Sequence, residues 1–320
     1  MIGTPLQLAE FGSYFVGGRE VAVVGESIRT IQFSAQAVLE HDPNGLYRIE
    51  QAYVQFYVPV SSEGQLPIVL LHGGCLTGAM WESTPDSRPG WLDRLLRAGF
   101  PVHVVDGVER GRAGWCALPS LWPDEPLMRS AEQIWALYRF GPEGGFPARR
   151  TYPGLRYPLA GFDNLLRQHV PRWLSTVPAA AAAIVQLLER IGPAIIVSHS
   201  NGGLVALQAA WQRPDLVAGL VAIEPAGFPE APPPAALVGR PMLFLMGDYL
   251  DQSAFWRGLT VGTAALAASL RDVGAAVTEW HLPSMGISGN SHMPMMDDNS
   301  DDLVVRLSDW IKSEIKPSLP

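Results

Sequence analysis

Only two cysteines, Cys75 and Cys116, occur in 320 residues. They fall in separate predicted loops without metal-ligand spacing, which argues against a disulfide-dense scaffold and a cysteine metal site. The scarcity suits a reducing compartment and leaves one Cys75–Cys116 pair open. Charge is scarce too: 17% of residues are Asp, Glu, Lys or Arg, the net charge is -8, and no basic run occurs. An acidic chain of this kind is not built for nucleic acid or an anionic membrane surface. No stretch approaches about 18 uninterrupted apolar residues. Residues 1–10 have neither a basic start nor an apolar h-region, so the chain reads as cytoplasmic, although a mature secreted form would read alike. There is no N-x-S/T sequon and no internal repeat.

What is present is apolar. Hydrophobic side chains make up 48% of the chain, enough for a large core and against disorder or a coiled coil. Tyr14 to Val24 alternates around Gly17-Gly18 and predicts a hairpin, and Tyr47 to Val60 alternates again. Ser27 to Leu46 has no firm period and reads as loop. From Leu66 onward, short apolar runs alternate with helical stretches, which predicts a parallel sheet. Strands are expected at Ile68–Leu71, Pro101–Val105, up to Ser200, Val217–Ile223, Met242–Met246 and Val277–Leu282. Helices are expected at Gly90–Gly99, Ala179–Arg190, up to Trp211, Gly262–Val273 and Asp302–Ile315. Residues 107–176 break this grammar, being rich in Pro, Gly, Arg and aromatics (Trp115, Trp122, Trp135, Tyr138, Phe140, Phe146, Tyr152, Tyr157). They predict an inserted cap, with helix near Met128–Tyr138 and Phe162–Leu174, on a core of residues 1–106 and 177–320. The aromatics would either line a site or serve as the insertion's own core.

The chemistry centres on Pro193-Ala-Ile-Ile-Val-Ser-His-Ser200-Asn-Gly-Gly-Leu. An apolar run stops on a serine and restarts as a helix, the pattern of a nucleophile elbow. Small residues must lie two before and two after the serine, and here they are Ser198 and Gly202. Serine needs a base, and the base needs an acid partner. His292, in a glycine-rich loop after the last predicted strand, is the candidate base, and His281 within that strand reads as structural. Two acids are open: Asp248 after the seventh strand and Glu224 after the sixth. The glycines of Leu71-His-Gly-Gly-Cys-Leu can turn backbone N–H groups toward a developing oxyanion, with Gly74 or Cys75 as one donor and Asn201 as the other.

Together these stretches resemble the α/β-hydrolase superfamily. The runs H-G-G-C-L-T-G-x-x-W-E, S-H-S-N-G, A-I-E-P and G-N-S-H-M resemble, more narrowly, a small group of bacterial serine esterases. The resemblance implies a mostly parallel central sheet with helices on both faces, antiparallel N-terminal strands and an inserted cap. It also implies a triad acid after the sixth strand, favouring Glu224 over Asp248. The expected activity is hydrolysis of carboxylic esters through an acyl-enzyme, without metal or organic cofactor, on a small-molecule ester. A lactonase, amidase or thioesterase would use the same apparatus, and a hydrolase-fold binding protein is the alternative from another class. A homodimer is compatible with the sequence, which does not specify oligomeric state.

Overall fold

Apolar runs that have no wet face to offer become the inner strands of a sheet. The computed structural model describes residues 5–118 and 121–316. Its strands are β1 (Leu8–Val23), β2 (Arg29–Ser34), β3 (Ala37–His41), β4 (Gly45–Pro59), β5 (Ile68–Leu71), β6 (Val102–Asp106), β7 (Ala194–His199), β8 (Val217–Ile223), β9 (Pro241–Met246) and β10 (Ala276–His281). The α-helices are α1 (Ala79–Glu82), α2 (Trp91–Arg97), α3 (Ala131–Leu137), α4 (Phe162–Arg167), α5 (Val177–Ile191), α6 (Asn201–Gln212), α7 (Ala254–Asp272) and α8 (Ser300–Glu314).

Eight strands form one sheet in the order β1-β4-β6-β5-β7-β8-β9-β10, and β2 pairs with β3 separately. The β1–β4 and β4–β6 pairs are antiparallel and the rest of the large sheet is parallel. Alternate residues feed two cores. Ile68, Leu70, Ile195, Val197 and Leu243 pack on one face with Trp81, Trp91 and Leu307. Val69, Leu71, Ile196, Leu220 and Phe244 pack on the other with Ile184, Ala206 and Leu270. Every parallel strand therefore ends at the same edge of the sheet, and the loops that follow β5, β7, β8, β9 and β10 converge there.

Several elements differ from the sequence reading. Gly17-Gly18 is no hairpin turn: β1 runs straight through it, paired from Leu8↔Pro59 to Val23↔Gly45. The pair sits at positive φ (74° and 87°), and a Cβ at Gly17 would lie 2.7 Å from that of Ala183. Gly17 lets α5 approach the strand, and at Gly18 a Cβ would instead meet the Ile49 carbonyl oxygen on β4. The stretch read as loop holds the β2–β3 hairpin, whose residues are almost all exposed, so no buried face imprints a period on it. Helix α7 starts at Ala254, eight residues before the predicted Gly262. That glycine lies inside the helix, where Phe228 leaves no room for a side chain.

Residues 107–176 carry α3, α4 and three short 3-10 turns at 111–113, 146–148 and 159–161. Helix α3 starts on a capping box, Ser130 accepting from the Gln133 N–H and Gln133 returning to the Ser130 N–H. Trp135, Phe140, Tyr157 and Phe162 are buried in the core on one face of the sheet, with the Phe140 and Tyr157 rings stacked at 4.2 Å.

Candidate active site

At Ser200 the chain turns from β7 into α6 with φ 53° and ψ −120°, a conformation that costs a non-glycine residue roughly 1–3 kcal/mol. The turn is pinned from both sides: the Ser200 N–H donates to the Ile223 carbonyl, and Ala226 N–H donates to that of Ser200. At Gly202 a Cβ would come within 2.5 Å of the His72 carbonyl oxygen. Ser198, where the usual motif has glycine, is fully buried and satisfies its hydroxyl on the Val221 carbonyl at 3.0 Å.

Glu224 directly follows β8 with φ 45° and is completely buried. Its Oε2 accepts from His292 Nδ1 at 2.5 Å. Its Oε1 accepts from Arg139 Nη2 at 2.5 Å and from the Gly247 N–H at 2.8 Å. Burial alone would raise this carboxyl, but the Arg139 guanidinium and the His292 hydrogen bond overturn that and hold it at about 2. His292 is itself held below the ordinary imidazole value by burial, which the Glu224 contact opposes. With Nδ1–H committed to Glu224, Nε2 is left as the acceptor.

Three contacts fix the His292 ring and backbone. Its N–H donates to the Tyr138 carbonyl at 3.0 Å, His199 Nε2 donates to its carbonyl at 2.8 Å, and Trp256 packs on it at 4.4 Å. The preceding turn hangs on Asp297, which accepts from Ser291 N–H, Ser291 Oγ and Asn290 Nδ2. Ser200 and His292 border one cavity of about 740 Å³, part of it open to solvent. Gly74, Asn201, Tyr138 and Arg172 border it as well. In this structure Ser200 and His292 share the cavity without a direct hydrogen bond.

Asp248 is not beside His292. Its Oδ2 accepts from the Gly289 N–H and its Oδ1 from the Tyr249 N–H, both at 2.7 Å, so it braces the loop that carries His292. His281, at the end of β10, is partly exposed and does not border the cavity. The H-G-G turn is also braced. Burial, with Arg110 nearby, lowers His72 to about 4, so it is neutral. Its Nδ1–H donates to the Gly73 carbonyl and its Nε2 accepts from the Gly107 N–H, both at 2.9 Å. In a trans peptide the N–H opposes the carbonyl, so tying back the Gly73 carbonyl turns the Gly74 N–H the other way. Asn201 opens α6, where backbone N–H groups have no helical partner. Cys75 is buried with its thiol toward the Leu127 carbonyl, is not disulfide-bonded to Cys116, and does not border the cavity.

Of the eight aromatics expected in the insertion, only Tyr138 borders the cavity with Ser200, while Trp115 and Trp122 line a separate groove with Trp173. Phe255 and Trp256, from α7, complete the site's aromatic wall. The sequence reading also missed Arg139. Its only signal was an arginine next to Tyr138 in a segment rich in buried aromatics.

A mostly parallel sheet with a serine at a strained strand-to-helix turn, and a carboxylate–histidine pair at the same sheet edge, is the architecture of the alpha/beta hydrolases. The family model for the alpha/beta hydrolase fold matches residues 67–272, and the chain belongs to this family. It is similar to a solved structure described as a novel bacterial esterase, with 30% identity, 98% of each chain covered and a TM-score of 0.85. It is also similar to the "Probable secreted lipase phiG" of Fungal sp. (strain ATCC 74256), 26% identical over 328 residues, covering 84% of this chain and 88% of that protein. A shorter match joins it to Lipase LipV of Mycobacterium tuberculosis, 41% identical over 73 residues, or 22% of this chain and 28% of that one. Among the described residues, no helix is long and apolar enough to cross a membrane.

Proposed function

We propose that this alpha/beta hydrolase cleaves small carboxylic esters through Ser200, His292 and Glu224. The observation that carries the proposal is the buried Glu224–His292 hydrogen bond at the edge of the cavity that Ser200 also borders. Ser200 Oγ attacks the ester carbonyl as His292 Nε2 takes its proton, and the N–H groups of Gly74 and Asn201 receive the oxyanion. His292 then protonates the departing alcohol. Water, deprotonated by the same nitrogen, attacks the acyl-Ser200 ester and releases the carboxylic acid. Glu224 stays ionised throughout, because its pairing with Arg139 favours the charged form, and it stabilises the imidazolium that forms twice per turnover.

The place of Gly74 on the cavity favours it over Cys75 as oxyanion donor. Residues 107–176 serve as the cap, since Arg129, Leu137, Tyr138, Arg172 and Leu174 border the site. The intracellular assignment belongs to this proposal and rests on the two unpaired cysteines; fractionation of the source cells tests it. The catalytic assignment is tested by labelling with a fluorophosphonate probe and by Ser200→Ala. Wild type should be labelled once, and the variant should lose labelling and ester turnover while unfolding at the same temperature. Labelling that survives in the variant overturns the assignment.

A further inference from the structure

We propose that the ester this site accepts carries a free carboxylate, which Arg172 binds with Arg129 beside it. Arg172 is only 8% exposed, yet it borders the cavity that holds Ser200. Its guanidinium forms no hydrogen bond or ion pair with any described residue, and its Nε is buried without a partner. The other buried arginines near the site differ. Arg110 is paired with Glu109 at 2.9 Å and Arg139 with Glu224 at 2.5 Å.

Arg172 Nε is the sealed nitrogen, while Nη1 and Nη2 make no protein hydrogen bond and are not sealed with it, so they are the ends that an anion in the cavity can reach; a largely buried guanidinium gains most from such a partner. Arg129 also borders the cavity, and it too makes no ion pair among the described residues. The lining holds these two arginines and no carboxylate. Glu109, the carboxylate that acts on Arg172 from behind, is already paired with Arg110, so the cavity wall itself is positive. Arg172 Nη1 lies against Gly74, where a side chain at that position would strike it, so the charge sits on the oxyanion side of the serine. A planar carboxylate matches the guanidinium fork with two parallel hydrogen bonds. Half-esters of short dicarboxylic acids have this chemistry: one end is the scissile ester and the other the anion.

This inference rests on Ser200 being the nucleophile, and the experiment separates the two. Monomethyl and dimethyl glutarate differ in one charge and nearly nothing else. At neutral pH, wild-type kcat/KM should favour the monoester by on the order of tenfold or more, the scale of a charge-assisted pair. Arg172→Met should erase that preference, lowering kcat/KM for the monoester through its KM by on the order of tenfold more than for dimethyl glutarate. Arg172→Lys, a point charge without the fork, should fall between. If Arg172→Met does not fold, the wild-type ratio and Arg129→Met, expected to weaken the preference less, still decide.

A wild-type preference for the diester overturns the proposal, as does an Arg172→Met loss that is equal for both esters. Should neither glutarate ester turn over, calorimetric titration of Ser200→Ala with monomethyl glutarate decides: saturable binding that dimethyl glutarate does not share supports the proposal, and its absence sinks it. Failure of fluorophosphonate labelling, by contrast, would count against the serine mechanism.

Discussion

Glu224 and His292 share a 2.5 Å hydrogen bond with no exposed surface on the carboxylate. A pair sealed in this way fixes the tautomer of the base, and removing its charge should disable the base and leave the serine and oxyanion donors in place. Glu224→Gln should therefore cost about three to four orders of magnitude in kcat. Asp248→Asn should cost far less, since Asp248 touches the loop and not the imidazole. The pH profile gives a second readout. Activity needs neutral His292, whose value is held down by burial and pushed up by Glu224. Its acidic limb should start below pH 6.5 and move lower still in Glu224→Gln. A crippling Asp248→Asn beside a mild Glu224→Gln would assign the acid the other way.

Arg139 is paired with the fully buried Glu224, and its removal would strand a buried carboxylate. Arg139→Met should lose about 3–5 kcal/mol in urea unfolding at pH 7. The double variant Arg139→Met/Glu224→Gln should be less destabilised than Arg139→Met alone, because no unpaired charge is left. The pH dependence follows from the Glu224 carboxyl lying at about 2 in the fold against an ordinary 4.5. A depressed acid adds stability above its unfolded value and loses it as pH falls, here from about pH 4.5 toward 2. That difference amounts to about 3 kcal/mol. The gap in stability between wild type and Glu224→Gln should narrow across this window, and a constant gap would mean Glu224 is not held down.

The elbow makes a steric prediction. Gly202→Ala would place a Cβ 2.5 Å from one backbone carbonyl oxygen and 3.1 Å from another, His72 and Leu71, neither of which can rotate away. It should cost about 1–3 kcal/mol or more and displace Ser200, lowering kcat. Ser198→Gly, which restores the usual motif residue, should stay active. It should lose only about 1 kcal/mol, from the hydrogen bond to Val221. If Gly202→Ala were silent in both stability and rate, strand and helix would not be in the contact described.

The strand ends and the serine turn were legible because burial on both faces leaves an apolar run that only a buried strand explains, as in Ile195 to Val197. The β2–β3 hairpin was not, since its exposed residues carry no periodic constraint. Gly17-Gly18 and Gly262 misled for one reason. Glycine marks a close approach as readily as a turn, and the partners, Ala183 and Phe228, lie far away in sequence. Arg139 and Arg172 were hidden because an arginine's role depends on which acceptor it meets, and Arg139 finds Glu224 85 residues away.

Side chains packed beneath the site and side chains that face the cavity form two groups that mutation should separate. Trp135 is fully buried against Phe140, Phe146 and Phe162 and does not border the cavity. Trp135→Ala should cost about 3–5 kcal/mol of stability and scale the rates on all esters together. Phe255 and Leu127 face the cavity with partly open side chains, 52% and 38% exposed, so cutting them back admits bulk without emptying a core. Phe255→Ala and Leu127→Ala should leave stability within about 1 kcal/mol. They should also shift the chain-length ranking toward longer p-nitrophenyl esters, with the acetate rate little changed. The measurement is kcat/KM from acetate to octanoate for each variant beside its melting temperature. A reranking by Trp135→Ala without loss of stability would move the specificity wall from Phe255 and Leu127 to the buried aromatics around Trp135.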